Sequence, residues 1–141
     1  MTPAYMLDAD VCIHVIRARS QVLLDSFRRA ADRVAVSTIV QTELMVGVHK
    51  ALLSDRALER VEGLLARVAV LPFDEAAADH AARIRAGLEQ QGQKIGAYDG
   101  LIAGHARSLG LTLVTSNVRE FSRVPGLLHE DWAAPLRGFH E

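Results

Sequence analysis

The chain opens on the apolar run Ala4-Tyr5-Met6-Leu7, which stops at Asp8. A short apolar run closed by a polar residue reads as a buried strand. Helical spacing follows over about 9–17 and about 20–31, and Val34-Ala35-Val36 is a second short run. Ser37-Thr38 opens a third helix, with Thr38 and Gln41 at capping-box separation. Its predicted apolar stripe is Ile39, Val40, Leu44, Val46 and Val48. Ser54 predicts a cap for a helix to about 66, and Val68-Ala69-Val70-Leu71, closed by Pro72, a third strand. Asp74 then caps an Ala-rich helix to about Gln90, followed by the polar loop Gln91-Gly92-Gln93-Lys94-Ile95-Gly96. Helix 97–109 stops at Gly110, as helices often do. Leu111-Thr112-Leu113-Val114-Thr115 alternates as a fourth strand. Asn117 and Glu120 repeat the capping-box spacing before a short helix, and Leu127-Leu128-His129 reads as a fifth strand. Strands alternating with helices predict an α/β sandwich around a short, mostly parallel sheet of four to five strands. Residues 1–132 are expected to form one domain, and 133–141, with Pro135 and Gly138, an irregular tail.

Length and composition agree with this picture. The chain has 141 residues, half of them apolar and 23% charged, which excludes intrinsic disorder. A net charge of −1 excludes a polycation that coats nucleic acid by bulk charge. Lys50 and Lys94 are the only lysines, so the positive charge is carried almost wholly by Arg, the better phosphate clamp. The single cysteine, Cys12, lies in an apolar run and reads as a buried, inert thiol. The six His show no zinc-ligand spacing. No apolar run is long enough to span a bilayer and no leader pattern is visible, so a cytoplasmic protein without a membrane segment is expected.

The acids change the picture. In parallel sheets ligands bind at the carboxyl ends of the strands. Asp8 falls at the end of the first strand, Glu43 in the helix after the second, and Asp99 in the first turn of helix 97–109. Thr115 and Asn117 return to the same edge after the fourth strand. Glu43 lies on or beside its helix's apolar stripe, and Asp99 shares a face with Ile102, Ala103 and Ala106. A carboxylate facing a core is costly unless a cation meets it, and a hard divalent ion takes oxygen ligands. Plainer roles exist for each residue: a helix cap for Asp8 and Asn117, solvent or Arg pairing for Glu43 and Asp99, a strand position for Thr115. Asp10 fits either a surface ion pair or a supporting carboxylate. His105, among Leu101, Ile102 and Leu109, reads as a packed, hydrogen-bonded core residue.

Four motifs in order carry a family resemblance: Asp8-Ala9-Asp10 after a strand; Ser37-x5-Glu43-Leu44-x2-Gly47; Ile95-Gly96-Ala97-Tyr98-Asp99-x2-Ile102-Ala103-x-His105-Ala106; and Thr115-Ser116-Asn117-x2-Glu120-Phe121. Together with Arg123-Val124-Pro125-Gly126-Leu127 and Glu130-Asp131-Trp132, they resemble the PIN-domain toxins of the VapC family over residues 4–132. The resemblance implies a PIN-like three-layer sandwich and an endoribonuclease of a type II toxin–antitoxin pair. It implies Mg²⁺ or Mn²⁺ as cofactor, structured RNA as substrate, and a tRNA in the branch that cuts initiator tRNA. It also implies a VapB-like antitoxin as partner, a homodimer, and a larger assembly that reaches operator DNA through the antitoxin.

The family's conserved acids fall on Asp8, Glu43 and Asp99, the implied metal ligands. The fourth acidic place falls on Asn117, which predicts one tightly held ion rather than two. The branch more usually has Thr where this chain has Ala9, and Asn where it has Ser116. Asn117 and Thr115 complete the implied catalytic set by positioning water. The alternatives are a haloacid-dehalogenase-type phosphatase, suggested by Asp8-Ala9-Asp10, and a receiver-type signalling domain with an acidic pocket. Both need a lysine near that pocket, and neither accounts for Glu43.

Overall fold

The computed structural model describes residues 2–52 and 54–133. Among these, β1 (Tyr5–Leu7), β2 (Val34–Ser37), β3 (Ala69–Leu71), β4 (Thr112–Val114) and β5 (His129–Glu130) form one all-parallel sheet in the order β3-β2-β1-β4-β5. Helices α1 (Ala9–Ile16) and α2 (Gln21–Ala30) lead from β1 to β2, and α3 (Thr38–Lys50) and α4 (Asp55–Leu65) from β2 to β3. Helices α5 (Glu75–Gln90) and α6 (Ala97–Leu109) lead back to β4, and α7 (Val118–Phe121) precedes β5. The chain steps outward from β1 to β3, then returns past β1 to β4. Parallel crossovers are right-handed in nearly all cases, so this reversal puts α1–α4 on one face and α5–α7 on the other. The result is the expected three-layer sandwich. Met6, Leu7, Val34, Val36, Leu113 and Val114 are buried between the layers, which is why the central strands read as unbroken apolar runs.

Local signals set most boundaries. Ser20, Ser54 and Asp74 cap α2, α4 and α5 by accepting from the amides of Leu23, Ala57 and Ala77. Gly110 ends α6 in the left-handed region at φ 67°, which favours glycine. The Thr38–Gln41 capping box does not form. Strand β2 continues through Ser37, whose Oγ accepts from the Ile39 amide at 3.0 Å and caps α3. Thr38 is already helical, and its Oγ1 accepts from the Phe73 amide at 3.1 Å. Val40, Leu44 and Val48 form the buried stripe of α3, whereas Val46 is 42% exposed. Two residues on from Leu44, Val46 points to the opposite side of the helix. Strand β5 covers His129–Glu130 rather than Leu127–His129, with Leu127 buried and Leu128 exposed before it. The tail expected from residue 133 lies, beyond Ala133, outside the described residues. Among the described residues no helix is long and apolar enough to cross a membrane.

Helices α5 and α6 approach so closely that Gly104 is required between them. A Cβ there would stand 2.5 Å from the Ala81 amide nitrogen and 2.6 Å from its Cα. Both atoms are backbone, so they yield only if the helices part. Gly104→Ala gains helix propensity of about 1 kcal/mol. It should nevertheless destabilise the fold by about 1–3 kcal/mol through overpacking. Urea unfolding measures this, and an unchanged or raised midpoint would mean that the two helices separate at little cost.

Candidate active site

The reversal of strand order lies between β1 and β4, the place where α/β sheets open a crevice at their carboxyl ends. Leu7 pairs with Val114, and the Asp8 amide donates to the Val114 carbonyl at 3.1 Å, so both strands end level. Asp8 is 4% exposed. Its Oδ1 accepts from the Val11 amide at 2.9 Å, so the expected helix cap and the site role fall on one side chain. Burial pushes the Asp8 carboxyl above its ordinary range. The Thr115 hydroxyl and the Val11 amide, by hydrogen bonding to the carboxylate, oppose that shift, while Asp10 adds to it. Thr115 is buried at the end of β4, and its Oγ1 accepts from the Asn117 amide at 2.9 Å. It therefore braces both Asp8 and the turn beyond the strand.

Glu43 projects from α3, and its Oε1 is buried without a hydrogen-bond partner among the described residues. Burial raises the Glu43 carboxyl, and the charges of Asp10 and Asp8 raise it further. Asp99, in the first turn of α6, is pushed up to about 7. Burial is the main cause, followed by the charge and hydrogen bond of Glu120, then the charges of Asp8 and Glu43. Asp8, Glu43 and Asp99 thus sense one another at a single sheet edge, as the motif order implied.

Glu120 is the residue that sequence reasoning missed as part of the site. Its Oε1 accepts from the Gly96 amide at 3.0 Å and its Oε2 from the Asn117 side-chain amide at 2.7 Å. A Cβ on Gly96 would stand 3.2 Å from Asp99 Oδ2, so glycine there lets the loop pass close to the paired acids. Asn117 makes no side-chain cap bond, and the expected capping box is replaced by its amide holding Glu120. The carboxylate that meets Asp99 is therefore supplied three residues after Asn117. The premise for a single ion, a pocket with only three acids, does not hold. The available signal was the spacing of Glu120 itself, read as capping only.

Two further expectations concern buried groups. His105 is buried, with Nδ1 2.8 Å from Ser37 Oγ and its ring edge-on to Phe73. Burial lowers its pKa, which keeps the ring neutral in the core. Cys12 is a buried free thiol whose pKa is pushed up by burial and by Asp8 and Glu43, so it stays protonated and inert.

Among the described residues, the ion pairs are Arg83–Asp79 and Arg85–Glu89 on α5, so none engages the pocket acids; only the charge of His14 eases Asp8 slightly. Nor do any three His, Cys, Asp or Glu side chains among them stand close enough to chelate an ion as they are. The chemistry of the set still fits a hard divalent cation. Mutually repelling carboxyls, all shifted upward, and an orphaned glutamate oxygen are the features that such an ion would satisfy.

Comparison with known proteins agrees with this geometry. The sequence profile of the PIN domain matches residues 5–127. The tRNA(fMet)-specific endonuclease VapC of Shigella flexneri is 42% identical over 129 residues, covering 92% of this chain and 98% of that protein. Ribonuclease VapC2 of Haemophilus influenzae is 41% identical over 128 residues, covering 91% and 97%. A chain of the crystal structure of DNA-bound VapBC from Salmonella typhimurium superposes with a TM-score of 0.88 at 42% identity, covering 93% of this chain and 99% of that one.

Proposed function

The chain belongs to the PIN-domain family, in its VapC branch of endoribonuclease toxins, and we propose that it hydrolyses a phosphodiester bond of initiator tRNA at the pocket of Asp8, Glu43, Asp99 and Glu120. The observation that carries this reading is the gathering of these acids where β1 and β4 end, with one Glu43 oxygen left unpartnered. The phosphatase and receiver alternatives find no support in the family assignment.

Asp8 and Asp99, with Glu43, would hold Mg²⁺ or Mn²⁺, and Glu120 would contribute from the α7 side. Such an ion, when bound, activates water and stabilises charge on a phosphate oxygen. The remaining roles belong to the chain itself. Thr115 orients Asp8 through its hydroxyl, and Asn117 orients Glu120 through its amide. The Asp99 carboxyl, pushed up to about 7 by burial and by the neighbouring Glu120, holds a proton near neutrality that a bound cation would displace. Hydrolysis by water rather than by the ribose 2′-hydroxyl leaves 5′-phosphate and 3′-hydroxyl ends. The seven aromatic residues are too few for a stacking platform, which favours recognition of RNA shape in a groove completed by a second copy of the chain.

The partner in this reading is a VapB-like antitoxin, and the assembly would engage operator DNA through it. The neighbours of similar fold include VapBC complexes, some with bound DNA. A groove of about 250 Å³ between α1, α3 and α4 has Ile13, Ile16, Val48 and Val61 among its apolar walls, Arg17 and Arg60 at its sides, and reaches Glu43. An apolar antitoxin segment seated there could deliver a basic side chain into the acidic pocket.

The test is incubation of the chain with total RNA and Mg²⁺, followed by sequencing of new 5′ ends. New 5′-phosphate ends should collect within initiator tRNA, vanish with Asp8→Asn, and disappear when the operon-encoded partner is bound. Cyclic-phosphate products, or cleavage that survives Asp8→Asn, would overturn the assignment.

A further inference from the structure

We propose that Lys94, Arg119 and Arg123 form a phosphate-binding subsite that grips the RNA backbone beside the bond cut at the acidic pocket. The proposal rests on the ribonuclease reading and adds to it where the flanking strand lies. A cleft of about 470 Å³ is lined by these three residues together with Asn117 and Glu120. Asn117 and Glu120 also bound the acidic pocket through their bond to each other and the contact of Glu120 with Asp99. Cleft and pocket therefore share a wall.

The electrostatics explain why the pocket needs such a neighbour. Asp8, Asp10, Glu43, Asp99 and Glu120 give the pocket a strong negative field, which repels an approaching polyanion. Attraction must come from cations set to one side, close enough to position the strand yet outside the acids' reach. The chain carries a net charge of −1 and has only two lysines, so three cations meeting in one cleft depart from the average surface. Among the described residues none of the three is in an ion pair. The one acid of the cleft, Glu120, has its oxygens engaged by the Gly96 amide and Asn117.

Arg123 is already held in place. Its Nε donates to the Glu120 carbonyl at 3.2 Å and its Nη2 to the Lys94 carbonyl at 2.8 Å. These bonds tie the loop before α6 to the end of α7, so the guanidinium and the Lys94 backbone form one edge of the cleft. Lys94 and Arg119 are exposed and can swing onto a phosphate. Contacts of this kind position the strand without reading its sequence. The cleavage position should therefore stay the same when they are removed.

The test uses the full chain carrying Lys94→Gln and Arg119→Gln, two exposed positions whose hydrogen bonds among the described residues run through backbone carbonyls alone. RNA cleavage is measured over a range of salt concentrations. The expected result is a KM about tenfold higher with kcat held. The slope of log affinity against log salt should fall by about 1 for each cation removed, with the same 5′ ends. Unchanged KM and salt slope would overturn the subsite, as would a fall in kcat with KM unaltered. Failure of the unaltered chain to cut RNA would instead overturn the ribonuclease reading, and the subsite with it.

Discussion

Asp99→Asn is expected to remove nearly all RNA cleavage and, in the metal-free chain, to make the fold more stable. The two effects have one cause. The Asp99 carboxyl is raised from an ordinary 3.8 to about 7 by burial and by Glu120, Asp8 and Glu43. A group whose pKa is higher folded than unfolded contributes stability that is fully present below its unfolded value. That stability is lost as pH rises through the folded value. The metal-free chain should therefore weaken between about pH 4 and pH 7 and stay at the lower level above pH 7. Asparagine has no charge to repel its neighbours, so the gain over the unaltered chain is small at pH 4 and largest at pH 8. Asp99 sits at the rim of α6 with partial access to water, so solvent screening moderates the gain.

Added Mg²⁺ should restore the unaltered chain more than the variant, because an ion that binds only the folded state stabilises it by mass action. Cleavage should fall by about 10³-fold or more, since an ion's stabilisation of transition-state charge contributes several kcal/mol. Urea midpoints at the two pH values, with and without Mg²⁺, and a cleavage assay check both halves. A variant that is weaker at pH 8, or that cuts RNA undiminished, would contradict the pocket as described.

Glu120→Gln should reduce cleavage by about 10²–10³-fold, and Asn117→Ala by only about tenfold. The two oxygens of Glu120 meet two donors, the Gly96 amide and the Asn117 side-chain amide. A glutamine presents one oxygen and one NH₂, so it keeps both contacts only if the Asn117 amide turns over, and it removes the charge facing Asp99. The variant should also bind Mn²⁺ more weakly in calorimetry. Asn117→Ala keeps the carboxylate and only loosens it, since the Gly96 amide still holds Oε1. The reverse ranking, near-normal cleavage by Glu120→Gln with a deep loss at Asn117, would return the fourth place to Asn117.

Much of the molecule was legible because its signals are short-range. Serine and aspartate caps at Ser20, Ser54 and Asp74, and the left-handed Gly110, act within one turn of the backbone they terminate. The strands after 4, 34 and 111 are buried on both faces, so their residues had to be apolar, and that runs visibly along the chain. The placement of Asp8, Glu43 and Asp99 was readable for a related reason. Each acid interrupts an apolar face, and helix and strand periodicity alone says which face that is. The resemblance then placed them in one site.

Other features depend on partners far away in sequence. Strand order cannot be read locally, yet it is the return from β3 past β1 to β4 that brings Asp8 level with Thr115. Whether Ser37 or Thr38 caps α3 depended on how far β2 stays paired with β3, where Ser37 matches Leu71. Asn117 and Glu120 have the spacing of a cap, and that local spacing does not show which acid Glu120 meets. Their actual geometry is set by the Gly96 amide, 24 residues upstream of Glu120, and by the Asp99 carboxyl one turn into α6. Most elements, and the faces that carry Asp8, Glu43 and Asp99, follow from contacts within a few residues and so could be read along the chain. The meeting of Glu120 with Asp99 could not, because it rests on which loop the fold carries back to that edge.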